Sequence, residues 1–283
     1  MAAEAAMVLP AYAGALDQKQ KPETALITGA SSGIGVDLAR LMAPRFDLAI
    51  TARNQTDLEK IARELQAQHG NHVHVIPADL AKPEAPMQIF AEIERRGLSV
   101  DALINNAGFG LYGRFAENDL QQELEMIQVN ITALTSLTKL ALPGMLVRKH
   151  GRIMNVASTA GFQPGPLMAV YYATKAYVIM FSEAIANELA GSGVTVTCLC
   201  PGATATRFAG RANMEHSRLF RLGAMKPQRV AQAGYDGMMA GKTMVVPGFI
   251  NKTIAMSVRL SPRKLVTAIS RSLQENPDSS GKS

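Results

Sequence analysis

The chain has 283 residues, a formal net charge of +6, 47% hydrophobic and 18% charged residues, and no tryptophan. Those proportions fit a globular enzyme with a sizeable core, in one large domain or two small ones. Without tryptophan, and without a Lys/Arg run interleaved with aromatics, nucleic acid is excluded as the expected partner; the basic excess still admits an anionic surface or an acidic small molecule.

Residues 1–20 read as a flexible arm rich in Ala, Gln and Lys. The start, Met1-Ala-Ala-Glu-Ala-Ala-Met7, has no basic n-region and carries Glu4, which makes a poor signal peptide. No run of 18 apolar residues predicts a spanning helix, so a cytoplasmic location is expected. From residue 21 to 248 short apolar runs alternate with longer helix-period segments. Strands are expected at Ala25–Thr28, Leu48–Thr51, Val73–Ile76, Ala102–Asn105, Arg152–Val156, Val194–Cys198 and Met244–Val246. Helices are expected at Gln55–His69, Pro83–Arg96, Gln122–Val147 and Val170–Ala190. This alternation predicts an α/β fold: a Rossmann-like, doubly wound parallel sheet of about seven strands with helices on both faces. Cys198 and Cys200, the only cysteines, point to one face of their strand and read as small core residues. The five histidines supply no ligand spacing with them, so no metal is expected.

In such a sheet, ligands bind beyond the carboxyl ends of the strands. The chemically suggestive residues fall there: Thr28-Gly29, Arg53, Asp79, Asn105-Asn-Ala-Gly108, Ser158 and Pro201-Gly202 each follow a strand. Thr28-Gly-Ala-Ser-Ser-Gly-Ile-Gly35 joins the first strand to a helix beginning near Ile34. Its glycines allow a sharp turn and close approach to a pyrophosphate, and the helix N-terminus offers N–H groups of positive character. The end of the second strand, Ile50-Thr-Ala-Arg-Asn54, has Ala52 where an NAD enzyme places an acid, followed by Arg53, a cation suited to a 2′-phosphate. Asn54 and Ser31 can add hydrogen bonds, and NADP(H) is the expected cofactor. Asp79 also reads as the N-cap of the helix near Pro83.

Tyr171 and Lys175 stand at i and i+4 of a helix, on one face and roughly 6 Å apart along its axis. An ammonium beside a phenol draws its pKa down from about 10, which suits a tyrosine to acid–base work. Tyr172 points roughly 100° away and Tyr177 precedes no such lysine; both read as packing residues.

With TGxxxGxG, the Asn105–Gly108 turn, Ser158, Tyr171-x-x-x-Lys175 and Pro201-Gly202 in this order, the chain resembles the short-chain dehydrogenases/reductases in their compact single-domain form, over about Thr24 to Thr206. The resemblance implies a nicotinamide cofactor and reversible carbonyl reduction. It implies that Tyr171 is the general acid/base, that Lys175 tunes it and holds the nicotinamide ribose, that Ser158 binds the substrate oxygen, and that Asn130 completes a water-linked relay from Lys175. It also implies a cofactor cradle of Gly29, Ser31, Ser32, Gly33, Ile34, Gly35, Arg53 and Asn54. Asp79 and Leu80 would border the adenine; Asn105, Asn106, Ala107 and Gly108 would lie by the adenosine ribose; Pro201, Gly202, Thr204 and Thr206 would flank the nicotinamide.

The substrate wall is expected from Phe109, Leu111, Tyr112, Phe162, Leu167 and Met168, then residues 203–226. It is largely apolar, which favours a hydrophobic ketone, 3-oxoacyl group or steroid-like molecule. Arg207, Arg211, Arg218 and Arg221 read as part of a solvated lid. Residues 249–275, with Lys252, Arg259, Arg263, Lys264 and Arg271, form a basic amphipathic extension expected to pack on the domain or a partner; it is the one candidate for membrane contact, which is not otherwise expected. Residues 276–283 read as a disordered tail. A homodimer or homotetramer through the long helices is expected from the resemblance. Two rivals keep related folds: a non-catalytic NADP(H)-sensing regulator, which should have lost part of the reaction centre, and a sugar-nucleotide epimerase, whose G-x-x-G-x-x-G turn and larger substrate domain are not seen.

Overall fold

A computed structural model describes residues 22–206, 223–258 and 260–275. Arg207, Arg211, Arg218, Arg221 and Arg259, with the expected terminal arm and tail, lie outside the described residues. Seven strands, β1 (Thr24–Thr28), β2 (Asp47–Thr51), β3 (Val73–Val75), β4 (Ala102–Asn105), β5 (Gly151–Val156), β6 (Val194–Leu199) and β7 (Met244–Val245), form one sheet in the order 3-2-1-4-5-6-7. Every pairing is parallel, with Leu26 facing Ala49 on one side and Leu103 on the other. A parallel sheet needs a crossover between neighbours, and the strand order reverses between β1 and β4, which opens a crevice there.

Helices fill the crossovers, and two more follow the last strand. They are α1 (Ile34–Met42), α2 (Gln55–His69), α3 (Ala85–Arg95), α4 (Leu120–Ile127), α5 (Leu134–Arg148), α6 (Ala169–Glu188), α7 (Pro227–Met239), α8 (Phe249–Val258) and α9 (Arg263–Gln274). Because side chains alternate across a strand, Ala25, Ile27, Leu48 and Ile50 meet Leu38 and Met42 of α1, Leu58 and Leu65 of α2, and Val230 of α7 on one face. Leu26, Ala49 and Leu103 face the other way, against Ile89 and Ile93 of α3 and Leu137 and Met145 of α5. Both faces are dry, which is why β1 and β2 read as unbroken apolar runs rather than alternating ones.

Local capping sets the boundaries. Asn54 accepts from Asp57 N at 3.2 Å to start α2, and Gly70 closes it in a left-handed conformation (φ 68°). The helix expected from Pro83 begins at Ala85 with Glu84 before it. Asp79 therefore does not cap it: its carboxylate accepts from Ala81 N within the β3–α3 turn. The helix expected as one piece from Gln122 to Val147 is broken by a π-helical segment, Gln128–Ala133, between α4 and α5. Asn130, 1% exposed, sits in that segment and bonds to the turn after β4 instead of leaving its amide unpaired.

Candidate active site

At the carboxyl edge of the sheet one cavity of about 740 Å³ runs from the β1–α1 turn to the C-terminal helices. Its shape at one end follows from glycine. Gly29 is left-handed (φ 66°), and a Cβ there would stand 2.8 Å from Asn106 Nδ2. At Gly35 an added Cβ would collide with the Gly29 carbonyl oxygen. Side chains at these places would push the turn away from β4. Gly33 is the N-cap of α1 and supplies no side-chain cap, so the first-turn N–H groups of α1 stay available beside the cavity. Asn106 locks the turn by donating to the carbonyls of Thr28 (2.9 Å) and Gly29 (3.2 Å), and Thr28 Oγ1 accepts from the N–H groups of Asn106 and Ala107.

Gly29, Ser31, Ser32, Gly33, Ile34, Arg53, Asn54, Asp79, Leu80, Asn106, Ala107, Gly108, Pro201, Gly202, Thr204 and Thr206 all line this cavity. Gly35 acts from behind, through the close packing just described. Asn105 does not reach the cavity wall: it is buried in the sheet, its amide donating to Thr138 Oγ1 (3.0 Å) and Asn155 Oδ1 (2.9 Å). Ala52 is half-buried at the cavity wall and brings no acid, while Arg53 is exposed at the rim. Asp57, in the first turn of α2, lines the same end and was not anticipated.

The cradle suits a dinucleotide phosphate group: it has a glycine turn that a Cβ would fill, uncapped N–H groups at a helix start and a rim arginine, with no acid in place of Ala52.

Ser158, Tyr171 and Lys175 line the middle of the cavity. Ser158 ends the β5 segment in extended backbone, where its hydroxyl accepts from Ala160 N (3.1 Å) and donates to the Pro201 carbonyl (3.3 Å). The Tyr171 phenol hydrogen-bonds to the Ser158 side chain. Lys175 Nζ donates to the Val156 carbonyl at 2.8 Å and lies 5.8 Å from the centre of the Tyr171 ring. Burial, not the lysine, governs the phenol: desolvation holds the Tyr171 pKa well above its ordinary value, Ser158 pulls it down and Tyr172 adds slightly to the rise.

Burial also lowers the Lys175 pKa from 10.5 to about 8, against a smaller opposing influence of Cys198 and Cys200. Below pH 8 the folded and unfolded chains both carry this proton. Between about pH 8 and 10.5 only the unfolded chain keeps it, so stability rises with pH. Tyr171, with a raised folded pKa, works the other way above about pH 10, where the unfolded phenol ionises. The parent should therefore gain about 2 kcal/mol over Lys175→Met between roughly pH 7.5 and 9.5. Denaturant unfolding at the two pH values measures this, and a constant gap would show that no charged lysine is buried here.

Asn130 does not line the cavity. Its Nδ2 donates to the Phe109 carbonyl and to Thr174 Oγ1, both at 3.0 Å, and its Oδ1 accepts from Phe109 N at 3.1 Å. It thus ties the turn after β4 to the catalytic helix α6.

Of the expected substrate wall, Phe109, Phe162 and Met168 line the cavity. Leu111 and Tyr112 do not; they pack behind it against the cluster of Met126, Ala160, Met168, Tyr171 and Tyr172. Leu167 does not either: it has a left-handed backbone (φ 68°), and its carbonyl accepts from Gly113 N. The missing wall comes from the end of the chain, as Asn251, Ile254, Ala255 and Val258 of α8 and Ser270 and Leu273 of α9. Tyr172, read as mere packing, also faces this part of the cavity. Its buried phenol is raised in pKa by desolvation, which the nearby Gln274, Ser270 and Gln163 oppose, so it lies directly under α9. The spacing of Val266, Ser270 and Gln274, every fourth residue, was the available signal for this inward stripe.

Cys198 and Cys200 are buried and unbridged, their sulfurs 3.6 Å apart. No group of three or more His, Cys, Asp or Glu residues that could hold a metal occurs among the described residues.

A sequence model described as short chain dehydrogenase matches residues 23–217. The ketoacyl reductase HetN of Nostoc sp. is 35% identical over 181 residues, which are 64% of this chain and 63% of its own. The very-long-chain 3-oxoacyl-CoA reductase of Anas platyrhynchos is 35% identical over 192 residues, 65% of this chain and 61% of its own. The chain thus spans less than two-thirds of the length of either relative. A solved structure, a short-chain dehydrogenase from Sphingobium yanoikuyae in complex with NADPH, is 32% identical, with a TM-score of 0.74 over 84% of this chain and 93% of its own. The match to the family sequence, the parallel sheet order and the Ser158–Tyr171–Lys175 cluster agree: the chain belongs to the short-chain dehydrogenase family.

Proposed function

We propose that the protein is an NADP(H)-dependent oxidoreductase that interconverts a carbonyl and an alcohol on an apolar substrate. One observation carries the reading: Ser158, Tyr171 and Lys175 face a single cavity whose other end is the glycine turn and Arg53. When bound, the nicotinamide supplies or takes up the hydride at the substrate carbon.

The chain's residues do the rest. Ser158 turns its hydroxyl to the carbonyl oxygen and holds it by hydrogen bonding, and Tyr171, neutral at physiological pH because it is buried, gives that oxygen its phenolic proton. In the oxidative direction the proton returns to Tyr171. Lys175, anchored by the Val156 carbonyl, keeps positive charge near the phenol and binds the ribose hydroxyls. Asn130 is a positioning residue. Both of its side-chain ends are engaged, which fixes the turn after β4 against the helix that carries Tyr171 and Lys175. The α1 N-terminus and the Gly29–Gly33 turn receive the pyrophosphate, and Arg53 the 2′-phosphate.

Phe109, Phe162, Met168, Ile254, Val258 and Leu273 make the substrate end apolar, which favours a long acyl chain, a steroid-like ring system or another hydrophobic ketone. The names of the two relatives, a ketoacyl reductase and a 3-oxoacyl-CoA reductase, point the same way. We place the protein in the cytoplasm, as a homodimer or homotetramer through α4, α5 and α6, where Leu124, Val147 and Met180 are exposed.

The test is NADPH consumption with a panel of medium- and long-chain 3-oxoacyl thioesters, bulky ketones and small sugars. Turnover of the apolar carbonyls, with sugars inert, is expected. NADPH binding without turnover across the panel would instead favour the NADP(H)-sensing regulator.

A further inference from the structure

The two C-terminal helices and their link hold seven large apolar side chains out in water: Phe249, Ile250, Ile254, Met256, Leu260, Leu265 and Ile269. The face of α9 turned toward the domain carries Val266 with the polar Ser270 and Gln274, the last two only 2% and 1% exposed. Its solvent side carries Leu265 and Ile269. In α8 the one buried residue is Ala255, while Phe249 (84% exposed), Ile250, Ile254 and Met256 stand outward. Leu260, in the link between the helices, is 92% exposed. Packing on the domain therefore uses one face of each helix and leaves several large apolar side chains of both bare.

Charge decides what covers that side. From Phe249 to Gln274 the sequence has five cations, Lys252, Arg259, Arg263, Lys264 and Arg271, and no acid; Glu275 comes only at the end, paired with Arg271. Among the described cations, Lys252, Arg263, Lys264 and Arg271 are exposed beside the apolar residues. A second copy meeting this face across a twofold axis would set cations against cations. An anionic lipid surface meets both needs at once. It takes up outward apolar side chains without needing a matching groove, and its headgroups pair with lysines and arginines whose stems lie along the same boundary.

The site adjoins this face. Ile254, Ala255, Val258, Ser270 and Leu273 line the cavity from the same two helices, and Ile254 is both cavity wall and outer surface. We propose that α8 and α9 form an interfacial docking surface for an anionic lipid bilayer, which sets the apolar end of the cavity against the membrane. No described helix is long and apolar enough to cross a membrane, so the contact is peripheral. The docking surface stands on these observations alone; delivery of a lipid-like substrate through it rests on the oxidoreductase reading above.

The full chain should co-sediment with vesicles containing about one-third phosphatidylglycerol and much less with pure phosphatidylcholine, and salt should weaken binding. Leu260→Ser with Leu265→Ser, and separately Lys252→Glu with Lys264→Glu, should each reduce vesicle binding about 10-fold or more. All four residues are exposed and none lines the cavity, so turnover of a water-soluble ketone should stay unchanged. Failure to bind anionic vesicles, or binding that survives both double variants, overturns the proposal. A dimer on size exclusion that Leu260→Ser with Leu265→Ser abolishes, with no vesicle binding, would assign the face to a second copy and also overturn it. Salt-sensitive binding to an acidic soluble carrier protein in place of vesicles would do the same for a protein partner. Vesicle binding is read without turnover, so an inactive enzyme that still docks would sink only the oxidoreductase reading.

Discussion

Tyr171→Phe is expected to lower kcat by about 1,000-fold while leaving the NADPH dissociation constant within about twofold, since general acid–base catalysis contributes roughly 100- to 10,000-fold. The substitution keeps the ring that packs with Met126, Ala160 and Tyr172 and removes only the oxygen beside Ser158. The fold should therefore persist, and a change in unfolding temperature of more than a few degrees would mean that the rate was lost for another reason. Stopped-flow single turnover with cofactor titration by fluorescence separates the two. Residual turnover within tenfold of the parent would remove Tyr171 from the role of acid. Tyr172→Phe is the matched control: it deletes a phenol one residue away that lies under α9 rather than beside Ser158. It should alter KM for bulky substrates more than kcat.

Arg53→Ala is expected to raise the NADPH KM by about 10- to 30-fold and the NADH KM by less than about twofold, so that cofactor preference collapses. The lower part of the range for a charge-assisted bond applies because Arg53 is exposed at the cavity rim, where solvent screens it. The side chain can deliver a large discrimination only because Ala52 leaves no carboxylate to bind the ribose hydroxyl in its place. Steady-state kinetics with both cofactors at one saturating substrate concentration decide the point. Equal increases for NADH and NADPH would show that Arg53 shapes the cradle in general and does not read the phosphate.

The parts of this site that the sequence carried most clearly are those fixed by local chemistry. Gly29 is a glycine because Asn106 and Ala107 come too close for a Cβ, and Gly35 because the Gly29 carbonyl does; a strand followed by such a turn and a helix can be recognised without tertiary information. The four-residue step from Tyr171 to Lys175 is a helical repeat and needs only the helix. What the chain order hid is whatever depends on a distant segment returning. Leu111, Tyr112 and Leu167 follow conspicuous strand-end residues, yet α8 and α9 fold back and take the wall they were expected to form. The π-helical segment was hidden for a similar reason. Its apolar spacing continues that of a regular helix, and the cause of the break is the bonding of Asn130 to Phe109, 21 residues earlier. The four-residue spacing reports the lysine beside Tyr171 but not the burial that raises the pKa of its phenol.

Adjacent phenols divide two tasks between two stretches of chain. Tyr171 answers to Ser158 and Lys175, which lie in the span matched by the family sequence. Tyr172 lies under Ser270 and Gln274, which are beyond that span. One peptide bond thus joins a reaction centre constrained by its chemistry to a roof that can be exchanged wholesale. A descendant could change what it admits by rewriting its last two helices while every atom that moves the proton stays where it was.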